Sequence, residues 1–158
     1  MDQPEMKHDH SDLRATLGRY ATGVTVITAM HGEHPVGITV NSFASLSLDP
    51  ALILWSPAKS STRHQVFVDA DAFNVHILSI EQKSVCDAFT KDMHGFDGLE
   101  FVSGTNGAPV LQGCLAMFAC QKYALHDAGD HTLIIGKVLE FSKRDGDPLI
   151  FLDGSFLA

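Results

Sequence analysis

Two stretches near the start constrain this chain more than anything else in it. Gly23 to Met30, G-V-T-V-I-T-A-M, and the run from Gly37, G-I-T-V-N, are rich in β-branched side chains that alternate along the chain, with the turn sequence H-G-E-H-P between them. β-Branched residues crowd the preceding turn of a helix but pack well on a pleated surface, so the pair predicts an antiparallel hairpin. In a strand, alternate residues share a face. Thr39 and Asn41 therefore lie on one side, Ile38 and Val40 on the other.

The rest of the chain repeats that choice. Strands are expected at A-L-I-L-W-S after Pro50, at F-N-V-H-I-L from Phe73 to Leu78, at Cys114 to Leu125 and His131 to Phe141 joined by H-D-A-G-D, and near Leu149 to Leu152. Helices are few. Ser11 or Asp12 can cap an amphipathic helix through about Tyr20, with Leu13, Leu17 and Tyr20 on one side, and a short helix is expected from about Thr62. Ser79 with Gln82 forms a capping box that opens a helix through about Phe89, turning Val85, Ala88 and Phe89 inward. From Lys91 to Gly113, five glycines and a proline predict loops. About seven strands with few short helices imply a mainly β fold, a closed or nearly closed antiparallel barrel. Residues 1–10 read as a flexible arm, and residues 11–158 as one domain, for which 158 residues at 45% hydrophobic content suffice.

Composition excludes several functions. No apolar run approaches the roughly 20 residues that span a bilayer, and the polar start M-D-Q-P-E-M-K-H has no signal-peptide core, which predicts a cytoplasmic protein without a membrane partner. Cys86, Cys114 and Cys120 are an odd set lacking C-x-x-C spacing and read as buried thiols. A net charge of −8, with scattered basic residues, disfavours nucleic acid. Nine histidines are many, yet H-G-E-H at His31 to His34 lacks the helical i, i+4 pair of a metal site, so no metal is expected.

The chemistry concentrates in Gly37 to Pro50, G-I-T-V-N-S-F-A-S-L-S-L-D-P, where the strand runs into small hydroxyl and amide side chains at Asn41, Ser42, Ser45 and Ser47. Neutral donors of this kind suit a flat polar heterocycle such as a flavin, because they grip its edge without fixed charges that would bias its redox state. The window also fits an ordinary strand followed by a serine-rich turn. No catalytic triad, paired catalytic carboxylates or G-x-G-x-x-G turn is present.

Six segments, in order, carry a family resemblance: R-Y-A-T-G-V-T-V-I-T from Arg19, the Gly37 segment, F-N-V-H-I-L with Gln82, G-A-P-V-L-Q-G-C-L-A from Gly107, G-D-H-T-L-I-I-G-K-V from Gly129, and P-L-I-F-L-D-G-S-F from Pro148. From Leu13 to Phe156 the chain resembles the short-chain flavin reductases, the reductase components of two-component flavin-dependent monooxygenases. That resemblance implies an FMN-binding split barrel, a homodimer, FMN or FAD as the flavin, and NADH or NADPH as hydride donor. Reduced flavin would pass to a separate monooxygenase. Hydride transfer between two stacked rings needs positioning rather than a protein nucleophile, so no catalytic residue is expected. Two other readings stay open: a tightly held flavin that reduces another small acceptor, and a flavin-binding module without reductase activity.

The resemblance also implies site residues. Thr39, Val40, Asn41 and Ser42, with Ala44 and Ser45, correspond to the flavin-contacting strand end. Read from the residues themselves, Ser56, Pro57, Lys59, Ser60 and Ser61 form a loop in which Pro57 fixes an exposed turn, the serines offer hydroxyls and amides, the following helix start favours a phosphate and Lys59 adds a full charge, against a plain solvated loop lysine. Arg63 reads equally as a surface residue. Phe89 and Lys91 match positions near the flavin's phosphate or adenine. His131, in G-D-H, corresponds to a histidine beside the nicotinamide, against a role in orienting the hairpin. The end departs from the family: Gly154 is followed by Ser155 and Phe156 without the usual tyrosine or basic residue, which leaves fewer groups for a nicotinamide phosphate. Phe156 suits either stacking on the dinucleotide or packing at a dimer seam.

Overall fold

A computed structural model describes residues 3 to 157. The early hairpin forms as the alternation predicts, β2 (Thr25–His31) against β3 (His34–Val40), with Val26 opposite Thr39 and Ile27 opposite Ile38. Gly32 at φ +62° takes the left-handed turn position that side chains disfavour. A short β1 (Thr22–Gly23) precedes it. Then come β4 (Ala44–Leu48), β5 (Ala51–Trp55), β6 (Ala72–Ile77), a minor hairpin of β7 (Phe101–Ser103) and β8 (Pro109–Leu111), the long pair β9 (Ala116–Ala128) and β10 (His131–Lys143), and β11 (Ile150–Leu152) with β12 (Ser155–Leu157). The helices are α1 (His10–Leu17), α2 (His64–Asp69) and α3 (Lys83–Lys91).

Seven strands pair antiparallel in the order β3-β2-β6-β9-β10-β5-β4. The two outermost, β3 and β4, are consecutive in the chain and joined only by Asn41, Ser42 and Phe43. That link reaches about 14 Å when fully extended, whereas seven strands laid flat at about 4.8 Å spacing would be about 29 Å wide. The sheet therefore curls until its edges meet. It is a barrel with an unpaired seam between β3 and β4, crossed by the Asn41–Ser42–Phe43 link.

β2 is buried on both faces. Ile27 and Ala29 point into the barrel with Val36, Trp55, Phe67 and Phe73, while Val24 and Val26 pack outside it with Leu78, Cys86 and Phe89 beneath α3. The minor hairpin is docked by buried polar groups: Thr28 Oγ1 donates to the Pro109 carbonyl at 2.5 Å, Asn74 Nδ2 to those of Ala108 and Pro109 at 3.0 Å each, and the Leu111 amide to His76 Nε2 at 3.1 Å. Gly136 is required by packing, since a Cβ there would lie 2.5 Å from Phe73 Cζ. The three cysteines are free thiols, and burial pushes Cys120 up to about 12.

Several expectations need correction. α1 is capped by Asp9, whose carboxylate accepts from the Asp12 amide, rather than by Ser11 or Asp12. It ends at Leu17 and buries none of its residues, leaving Leu13, Leu17 and Tyr20 exposed. The serine-rich stretch after Asn41 is a strand, β4, and not a turn. β7, β8 and β12 lie in segments read as loop or tail. The capping box does form, with the Ser79 amide donating to Gln82 Oε1 at 3.0 Å; it opens a short 3-10 turn that leads into α3.

Candidate functional site

The seam brings the strongest expectations together. Thr39, Val40 and Asn41, at the end of β3, line a pocket of about 160 Å³ with Val24, Phe151 and Phe156. Thr39 Oγ1 donates to the Cys86 carbonyl at 2.8 Å, so toward the pocket its hydroxyl can only accept. Asn41 is exposed, and its amide has no hydrogen-bond partner among the described residues, which leaves a donor and an acceptor for a ligand. An uncharged edge with one of each matches the pyrimidine end of a flavin, where N–H and C=O groups alternate.

From Asn41 the site runs continuously to the second cluster. Ser42 Oγ accepts from the Ser56 amide at 3.1 Å and donates to the Ser56 carbonyl at 3.3 Å, tying the crossing link to the end of β5. Beyond Ser56 the loop is sewn to the β9–β10 hairpin. The Lys59 amide donates to the Asp130 carbonyl at 2.8 Å, the Thr132 amide to the Pro57 carbonyl at 3.1 Å, and Ala58 bridges His131. Pro57 is buried, not exposed at a turn as its sequence context suggests, and its carbonyl is held by the Thr132 amide. The turn continues with the Ser61 amide donating to the Ala58 carbonyl at 3.0 Å and Ser61 Oγ accepting from the Arg63 amide at 3.2 Å. Ser60 stands exposed at its tip, as do Ala44 and Ser45 beside the link. α2 follows but has only six residues, and the Ser56, Lys59 and Ser61 amides are taken, so the loop's hydroxyls, with Lys59, are the groups available to a phosphate.

Lys59 is paired with Asp127 on the β9–β10 hairpin. His131 Nδ1 lies 2.8 Å from Asp130 Oδ1, and this hydrogen bond, followed by the imidazole's charge, holds the Asp130 carboxyl below its ordinary value. With Nδ1 donating to Asp130, the ring presents Nε2 outward, an acceptor when the imidazole is neutral and a donor when it is charged. Phe156 packs on Phe151 at 5.0 Å between centroids, and Lys83 Nζ stands 4.5 Å from its ring centroid while also bridging Asp87 at 2.5 Å.

Of the expected contacts only Thr39, Val40, Asn41 and Phe156 line the pocket itself; Ser42, Ala44, Ser45, the Ser56–Ser61 loop and His131 lie beyond it, and Phe89 and Lys91 belong to neither region. Phe89 is fully buried, stacked edge-on to Phe96 at 4.8 Å and pressed against Gly37, whose Cβ would lie 2.6 Å from its ring. It supports β3 from beneath and presents no surface to a ligand. Lys91 is exposed at the last turn of α3 and is not among the pocket residues. Arg63, read as a surface residue, is buried instead: its guanidinium donates to the carbonyls of Phe89, Thr90 (3.2 Å) and Gly37 (3.4 Å), fastening α3 to β3. Desolvation lowers its pKa, with Asp92 acting in the opposite direction. Val24, Phe151, Lys83 and Asp127 were missed. Val24 and Phe151 sit in segments that carry the resemblance, but only the fold brings them beside Thr39.

A curled antiparallel barrel with an uncharged, mostly apolar pocket at its seam, edged by Thr39 and Asn41, defines the split-barrel flavin-binding class. The chain matches the flavin reductase-like domain family over residues 17–158 and belongs to that family. Its relatives include the FMN reductase (NADH) SmoA of Agrobacterium fabrum, 53% identical over 143 residues that cover 90% of this chain and 82% of the relative. HsaB of Rhodococcus jostii, the reductase subunit of a flavin-dependent monooxygenase, is 37% identical over 94% of this chain and 77% of its own length. The Streptomyces globisporus NADH:FAD oxidoreductase SgcE6, solved with NAD and FAD fragments, superposes with a TM-score of 0.89 at 33% identity, covering 95% of this chain and 92% of that one. Among the described residues, no helix is long and apolar enough to cross a membrane, and no group of three or more potential ligands is placed to hold a metal ion.

Proposed function

We propose that this chain reduces free flavin at the expense of NADH, binding the flavin at the seam and delivering it reduced to a separate monooxygenase. The observation that carries the reading is the continuity of the site: Thr39, Val40, Asn41 and Phe156 share one pocket, and Ser42 hydrogen-bonds Ser56, which leads to Lys59 and His131. The flavin takes up a hydride from the dihydronicotinamide and a proton from solvent, leaving the oxidised nicotinamide. The protein's part is to hold and align. Asn41 and the Thr39 hydroxyl bind the ring edge, and Ser56, Ser60, Ser61 and Lys59 take the phosphate. His131 Nε2 accepts from the nicotinamide carboxamide, and Phe156 walls the pocket against water.

The working unit is a homodimer. Leu46 and Leu48 on β4, Tyr123 on β9 and Leu139 and Phe141 on β10 are exposed, Leu48 at 96% and Phe141 at 72%, a large apolar surface for a lone protomer. Sedimentation at micromolar concentration tests this, and a monomer that still binds flavin would contradict it. Anaerobic stopped-flow mixing of flavin-loaded protein with NADH tests the activity: the flavin band should bleach at a catalytically competent rate. Absence of bleaching would leave a flavin-binding module. Colour retained after exhaustive dialysis, with no turnover of added FMN or FAD, would instead mark a prosthetic flavin.

A further inference from the structure

The cation of the Ser56–Ser61 loop is already paired. Lys59 Nζ contacts Asp127 Oδ1 at the tip of the β9–β10 hairpin, with the lysine side chain 40% and the carboxylate 81% exposed. The two side chains are held within reach of each other by backbone, since the Lys59 amide bonds the Asp130 carbonyl, the Thr132 amide bonds the Pro57 carbonyl, and Ala58 bridges His131. The main chains need not be brought together from a free search, so the pair costs the side-chain ordering alone.

We propose that Asp127 is a positioning residue that competes with the flavin phosphate for Lys59 and so keeps the affinity for phosphate-bearing flavins low enough for the reduced flavin to leave. This rests on the assignment of the Ser56–Ser61 loop to the phosphate. An ammonium group has three donors, and a phosphate approaching it must displace the carboxylate or share the lysine with it. Where it shares, the Asp127 charge remains close enough to repel the phosphate. Both effects act on the phosphate alone and leave the ring edge at Asn41 untouched. Because the pair is exposed, the competition weakens binding without abolishing it.

The test uses FMN and riboflavin, which share the ring system and differ in the phosphate, with dissociation constants read by flavin fluorescence quenching on the full chain. Asp127→Asn should lower the constant for FMN about two- to fivefold and leave that for riboflavin unchanged. Asp127→Glu, which restores the charge, should return FMN binding toward wild type. In a Lys59→Met background the competition for the lysine is gone and only the direct repulsion between Asp127 and the phosphate is left, so the effect of Asp127→Asn should shrink. FMN affinity unchanged in Asp127→Asn, or FMN and riboflavin tightened alike, would overturn the proposal. Lys59→Met alone separates it from the assignment beneath it. Weaker FMN binding there, without tightening in Asp127→Asn, sinks only the role of Asp127. FMN binding that ignores Lys59→Met shows that the phosphate lies elsewhere, and the proposal falls with that placement.

Discussion

Acid should destabilise this protein through one residue in its interior. His76 is fully buried on β6; its Nδ1 lies 3.0 Å from the Val26 carbonyl and its Nε2 3.1 Å from the Leu111 amide. A carbonyl can only accept and an amide can only donate, so the ring must be neutral with its proton on Nδ1. Protonating Nε2 would break the bond to Leu111 and bury a charge. Burial accordingly lowers the pKa from 6.5 to about 4, against a smaller opposite effect of the Val26 carbonyl. The unfolded chain therefore binds this proton at higher pH than the folded one. Stability is complete above about pH 6.5 and drains as pH falls toward 4, in total by about 3 kcal/mol at about 1.4 kcal/mol per pH unit. Between pH 7.5 and 5.0 the share due to His76 is about 2 kcal/mol. Urea unfolding of dilute wild-type protein and of His76→Gln at both pH values isolates it, because carboxylates elsewhere contribute equally to both proteins. The variant should be weaker at pH 7.5 yet lose about 2 kcal/mol less on acidification. Equal losses in the two proteins would refute the assignment of a neutral, Nδ1-protonated His76.

Three further outcomes are expected. Asn41→Ala removes a donor and an acceptor from the seam and should raise the flavin dissociation constant roughly two- to tenfold, with little change in folding stability. His131→Ala should leave flavin binding nearly intact while raising the KM for NADH or slowing anaerobic bleaching; loss of flavin binding in a folded variant, or no kinetic change, would displace the nicotinamide from this hairpin. Gly37→Ala drives a methyl group into the buried Phe89 ring and should lower stability by about 1 to 3 kcal/mol in urea titrations, although the position makes no contact with a ligand.

The barrel was legible because β2, β3, β5 and β6 are short runs of β-branched and apolar residues bounded by turns, a composition that marks strands even where, as in β2 and β6, both faces are buried. β4 was not, for a physical reason. Its apolar members, Leu46 and Leu48, face outward, so the alternation A-S-L-S-L runs opposite to the hydrophobic-in rule, and its serines read as a turn. The three-residue strands β7 and β8 sit among glycines and prolines and exist because Thr28, Asn74 and His76 bond them, side chains that local sequence does not link to them. The pocket residues at Thr39 to Asn41 were found by their chemistry. Phe89 was misplaced because a buried ring and a ligand-facing ring look alike in sequence, and Arg63 because its partners are main-chain carbonyls of a helix end far along the chain.

That arrangement at Gly37 also bears on solubility. An open barrel leaves an edge strand whose free N–H and C=O groups invite another chain to pair, the usual start of sheet-to-sheet aggregation. Along β3 this invitation is withdrawn at its midpoint: the outward Gly37 amide donates to the Met93 carbonyl at 2.8 Å, and its carbonyl accepts from Arg63. Neither partner belongs to a strand, so the edge is closed by groups that cannot propagate a ladder. The protein can keep a seam open for its ligand without offering the β3 rim to intruding chains.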